Sequence, residues 1–227
     1  MKALTQLISI SSLGLMALFL SGAGLAQGNS VHEASYEVTL TNLTRGIYFT
    51  PLIVATHTAD AAFFSVGQSP SQPLADLAEG GATMPLAMAL DDAGVAGDIQ
   101  FTGDGLIGPG ESRTVTVHAS LRHFTRLSLA GMLLPTNDSF VAVNGLPLDK
   151  KLESVTVYAV AYDAGSESND ELCTSIPGPQ CGGEPFSMGL GEGFVHVSPG
   201  IQGVGDLAPE NYDWRNPVAA VHIVRID

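Results

Sequence analysis

Basic residues are scarce in this 227-residue chain, with nine Lys and Arg against 23 Asp and Glu and a net charge of −14. Nucleic-acid affinity comes largely from cations placed on phosphates, so that class of partner is excluded. Charged residues of both signs make up only 14% of the chain and hydrophobic residues 45%. A disordered chain has the opposite balance. Long helices are disfavoured as well, because charged helix formers are few while Gly (26) and Pro (13) are many. Past residue 26 no apolar run approaches the roughly 20 residues that span a bilayer. What is left is a chain long enough for one real core, with an acidic surface suited to cations or basic partners.

Cysteine is limited to two residues, and their meaning depends on compartment. Residues 1–26 read as a signal peptide, with Lys2 at the start, an apolar stretch from Leu7 to Leu20, and small residues at Gly24 and Ala26. The stretch is too short for a membrane anchor, and no Cys follows it to carry a lipid. The expectation is cleavage near Ala26, a flexible segment over 27–34, and one domain over 35–227. The mature chain is then secreted, extracellular or periplasmic, without a transmembrane segment. In an oxidising compartment Cys173 and Cys181, which flank a turn-rich loop with Pro177, Gly178 and Pro179, are expected to form a disulfide. A metal site would want closer spacing and more Cys or His nearby. Closing so short a loop contributes roughly 2–3 kcal/mol on the chain-entropy account.

Period-two patterning dominates the rest. Tyr36, Val38 and Leu40 share one face of a segment over 35–41, and the pattern returns over 113–118. Segments 126–134, 140–143, 154–162, 194–197 and 218–226 are also rich in strand formers, with Gly, Pro, Asn and Asp between them. About seven short strands so punctuated predict an all-β fold, an antiparallel β-sandwich or a barrel. One or two short helices are expected beside it. The first, over 71–79, has Pro73 at its start and Gly80-Gly81 at its end; the second, over 84–92, stops at Gly94.

Catalytic motifs are absent. Gly103-Asp104-Gly105-Leu106-Ile107-Gly108 matches a dinucleotide-binding string, but Pro109-Gly110 and a strand follow where a helix is required. The six His are scattered, with His118, His196 and His222 in strand patterns and His32 and His57 expected in loops or on the surface. There is no HExxH pair and no GxSxG elbow. The densest oxygen cluster runs from Asp163 to Glu171 and follows a strand directly. An EF-hand register fails there, since Ser168 and Thr174 stand where Gly and a bidentate Glu are needed. Carboxylates at the end of a sandwich still suit Ca²⁺, which takes six to eight hard oxygens. The alternative at this point is a solvated acidic turn.

Several strings resemble, in order, segments of the spondin domain family. Tyr162-Asp163-Ala164-Gly165-Ser166-Glu167 is similar to the family's W-D-A-G-T-D. Segments 35–44, 50–53, 134–141 and 217–226 are similar to its opening strand, the segment after it, its P-S-P-D-W-x-V-G stretch and its closing strand. The resemblance implies a β-sandwich related in shape to C2 domains, with Ca²⁺ held by Asp138, Asp163 and Glu167, the last standing where the family has Asp. It also implies a non-catalytic adhesion or recognition module whose partner is an extracellular or cell-surface glycan or protein. Two alternatives compete: a hydrolase of an extracellular polymer using paired carboxylates, and a matrix component whose calcium is purely structural.

Overall fold

The computed structural model describes residues 33–187 and 190–227. The signal-peptide and cleavage-site assignments, and the 27–32 part of the flexible segment, lie outside these residues. In chain order the elements are β1 (Glu33–Asn42), β2 (Tyr48–Phe49), β3 (Ile53–His57), α1 (Gln72–Gly80), α2 (Thr83–Asp92), β4 (Ala96–Phe101), β5 (Ser112–Ser120), β6 (Arg126–Leu134), β7 (Ser139–Pro147), β8 (Ser154–Asp163), β9 (His196–Val197), α3 (Pro209–Tyr212) and β10 (Ala219–Arg225). The first strand thus begins two residues before the expected domain boundary, because Ala34 is buried and pairs with Ala119 of β5.

All pairings are antiparallel and run β4-β3-β6-β7-β8-β10-β1-β5, with β2 added on β6 and β9 on β8. The sheet curls until its two ends approach. There Asp98 of β4 accepts from the His118 amide of β5 (2.7 Å), and Thr56 of β3 donates to the His118 carbonyl (2.7 Å). The fold is the expected all-β sandwich-like one, nearly closed into a barrel.

Two apolar layers explain the sequence patterns. β1, β5, β8 and β10 alternate because one face looks inward, where Tyr36, Val38, Leu40, Val117, Ala159, Ala161, Val221 and Ile223 join one core. β3 and β6 are buried on both faces, and so show no alternation of apolar with polar residues. Their outer face, with Phe140 and Ala142 of β7, packs under Leu74, Leu77, Leu86 and Leu90 of α1 and α2. Both helices stand where the composition places them. Ser71 caps α1 by accepting from the Leu74 amide, Pro73 opens it, and Gly81 ends it in the left-handed region at φ 70°. β4 was not expected as a strand: only weakly buried, it lacks a clean alternation.

Two sequence readings are settled by this arrangement. Gly103 and Gly105 occupy left-handed turn conformations leading to Ile107, which bridges to Phe49, and β5 follows rather than a helix. Dinucleotide binding is therefore excluded at that string. His57 is not on the surface but wholly buried in β3, where its ring nitrogens meet the Thr58 carbonyl (2.9 Å) and the Ser128 hydroxyl (2.7 Å). Burial lowers its pKa.

Candidate metal centre

Asp138 and Asp163 stand on neighbouring antiparallel strands. Asp138 directly precedes β7 and Asp163 is the last residue of β8, with Ser139 paired to Asp163. Chain direction therefore brings the two acids to the same end of the sheet, as the sequence suggested. Tyr162 anchors the motif beside them, its ring 4.8 Å from Phe64 and 5.8 Å from Phe140 in the helix-covered layer.

The loop after β8 then folds back over Asp138. The Asp138 Oδ2 accepts from the Ser166 amide (2.7 Å), the Ser166 hydroxyl (3.1 Å) and the Glu167 amide (3.0 Å). Its Oδ1 is buried with no hydrogen-bond partner. Glu167 repeats the asymmetry, with one oxygen accepting from the Ser187 amide and Oε2 buried without a partner. All three predicted acids are buried, at 0%, 0% and 1% exposure for Asp138, Asp163 and Glu167.

Such burial is costly for ionised carboxylates unless they are compensated. Burial, helped by the charge of Asp138, pushes Asp163 up to about 7. Burial also pushes Glu167 to about 7, with Glu79 and Asp138 adding to the shift. Asp138 moves upward for the same leading reason, against the amides that stabilise its charge. Glu79 was missed by sequence reading. It sits in the last turn of α1, the negative end of the helix dipole, and burial followed by the charges of Asp138 and Asp76 raises it too. Nothing in its helical context distinguished it from a solvated surface acid.

A second layer closes over this one. β9 pairs with the end of β8, placing His196 directly across from Asp163. Two glycines permit the approach. A Cβ on Gly165, which is left-handed at φ 68°, would lie 2.4 Å from the Phe194 carbonyl, and one on Gly191 would lie 2.3 Å from the Gly165 carbonyl. With the strands in contact, His196 Nε2 is 3.4 Å from Asp163 Oδ1 and 3.6 Å from Glu192 Oε2. Among the described residues, the ligand atoms of Asp163, Glu192 and His196 all lie within 4.8 Å of one another, and this group, with Asp163 buried, His196 half-buried and Glu192 exposed, could hold a metal ion. Of the three predicted acids it includes Asp163. Asp138 and Glu167 belong to the adjoining layer, joined to each other through the Glu167 amide. His196 is therefore more than the ordinary strand histidine that its pattern suggested. Burial lowers its pKa, but the Val197 carbonyl and the charges of Asp163 and Glu192 outweigh burial and the net shift is upward.

Other oxygens of the cluster serve as braces. Asn137 accepts from the Glu171 amide (3.2 Å) and donates to Asp170 (3.1 Å), while Asn169 donates to Asp163 Oδ2 (2.9 Å) and Glu192 Oε1 (3.2 Å). Glu171 accepts from the amides of Gln202 (2.5 Å), Gly203 (2.7 Å) and Val204 (2.9 Å). The Cys173–Cys181 disulfide is formed and packs on the inner core below this loop system.

The fold and site define an antiparallel sandwich-like domain that gathers acids at one end of its sheet. The chain matches the Spondin_N family over residues 29–175 and belongs to it. That match takes in Asp138, Asp163 and Glu167 and ends before Glu192, His196 and β10. No curated protein matches the chain. Among the described residues no helix is long and apolar enough to cross a membrane.

Proposed function

We propose that this chain is a secreted, calcium-binding recognition module of the spondin type, engaging an extracellular or cell-surface glycan or protein without catalysis. The observation that carries the calcium reading is the pair of buried, unpartnered oxygens, Asp138 Oδ1 and Glu167 Oε2, in a cluster of carboxylates. The donor set fits a hard cation: Asp138, Asp163 and Glu167 would hold it, with nearby backbone carbonyls or water completing the shell. When bound, the ion supplies positive charge that offsets the mutual repulsion of these acids. The protein's own part is to hold Asp138 and Glu167 in place through the Ser166, Glu167 and Ser187 amides. The disulfide and the family support an extracellular setting, where such bonds persist.

Extracellular modules bind Ca²⁺ at roughly 10⁻⁴ to 10⁻³ M, so tenfold excess stabilises the fold by about 1.4 kcal/mol. For a domain of this size that is a melting shift of roughly 3–6 °C. Calcium should therefore raise the melting temperature, Mg²⁺ should do so much less, and Asp138→Asn should remove most of the calcium effect. Equal shifts in wild type and Asp138→Asn would show that the site is misplaced. A screen on glycan and ester substrates separates this reading from a hydrolase, because turnover abolished by a single Asp or Glu change would overturn it.

A further inference from the structure

We infer that Asp163, Glu192 and His196 form a second cation subsite, selective for a borderline transition ion of the Zn²⁺ type rather than for calcium. Three features carry the inference. The first is distance. In a tetrahedral site with Zn–N and Zn–O bonds of about 2.0–2.2 Å, neighbouring ligand atoms stand about 3.3–3.6 Å apart. His196 Nε2 lies 3.4 Å from Asp163 Oδ1 and 3.6 Å from Glu192 Oε2. Those separations are long for charge-assisted hydrogen bonds, which run at about 2.7–2.9 Å, yet they match the edges of such a tetrahedron. In keeping with that, Nε2 is buried with no hydrogen-bond partner.

The second feature is the tautomer. His196 Nδ1 donates to the Val197 carbonyl at 3.0 Å, which turns Nε2 to the two carboxylates and makes it the nitrogen that a metal ion would take in place of a proton. A histidine whose other nitrogen is tied to a backbone carbonyl has the outer support typical of a metal ligand. The third is the brace. The Asn169 amide donates to Asp163 Oδ2 and to Glu192 Oε1, so one residue holds both acids with Oδ1 and Oε2 on the histidine side. A nitrogen donor among carboxylates favours Zn²⁺ and its neighbours over Ca²⁺, which takes oxygen.

The subsite shares Asp163 with the calcium reading, but the two can fail independently. Calorimetric titration with ZnCl₂ on the full domain should show a site in wild type that weakens at least tenfold in His196→Ala and Glu192→Gln and persists in Asp138→Asn. The calcium-induced melting shift should persist in His196→Ala and Glu192→Gln, which also shows that these variants fold. In Co²⁺-loaded protein, visible absorption of the tetrahedral type should appear and disappear with His196→Ala. Wild-type protein that takes up no Zn²⁺ would overturn the proposal and leave an imidazolium–carboxylate cluster. Zn²⁺ binding unchanged by His196→Ala would overturn it equally, placing the ion at other histidines. Loss of the calcium shift in every protein, with Zn²⁺ behaviour as stated, would sink the calcium reading alone.

Discussion

Glu171 lies in the same acidic loop as Asp163 and Glu167 yet performs a different task, and replacing it separates the two. Its Oε1 accepts from the Gln202 amide, and its Oε2 accepts from the amides of Gly203 and Val204. Its backbone is left-handed at φ 55°, and its own amide and carbonyl bond to Asn137 and to the Asp206 amide. In Glu171→Gln one oxygen can still serve Gly203 and Val204, but the new NH₂ faces the Gln202 amide. One bond is lost outright, and two change from charged to neutral acceptors at roughly 1 kcal/mol each. Gln202, Gly203 and Val204 are exposed, so water replaces part of the loss. The net cost is about 2 kcal/mol, a fall in melting temperature of roughly 4–8 °C for a domain of this length. Differential scanning calorimetry at neutral pH measures it. Calcium should still raise the melting temperature of Glu171→Gln by the wild-type increment, whereas Asp138→Asn loses the increment. A melting temperature within 1 °C of wild type, or a lost calcium increment, would refute the assignment of Glu171 as a loop clamp.

The pH dependence of the metal-free protein follows from the raised carboxylates. Asp163 and Glu167 have folded values of about 7 against ordinary values of 3.8 and 4.5, so the folded state retains protons that the unfolded state releases. Stability from these groups therefore rises as pH falls from 8 to 5, by roughly 2–3 kcal/mol for one such group; His196, also raised, acts in the same direction, and His57, lowered by burial, opposes it. Saturating calcium should flatten this trend, because the cation competes with protons for the same oxygens. Metal-free melting temperatures that drop between pH 8 and pH 5 would contradict it. Replacing Cys173 and Cys181 together with Ser should lower stability by about 2–3 kcal/mol, measured by urea unfolding.

Much of the fold was legible because the burial of β1, β5, β8 and β10 is one-sided. Inward residues such as Tyr36, Val38 and Leu40 must alternate with solvent-facing ones when side chains point to opposite faces. α1 announced itself through Ser71, Pro73 and Gly81, since the capping chemistry is local. The disulfide needed only a compartment and a short loop. Asp138, Asp163 and Glu167 came from a resemblance to the family, and the antiparallel pairing of β7 and β8 explains why the first two meet. Glu79, Glu192 and His196 carried no such mark. Glu79 comes from α1, and Glu192 and His196 arrive with β9 and the loop before it, each more than 20 residues from Asp163 in the chain. His57 was misplaced for a related reason: a strand covered by helices on its outer face buries every position, and only the packing of α1 and α2 determines that. Local patterning determines which residues can be strands, turns and caps. Tertiary structure alone decided which acids share a low-dielectric space, because that depends on register and on the close approach that Gly165 and Gly191 allow.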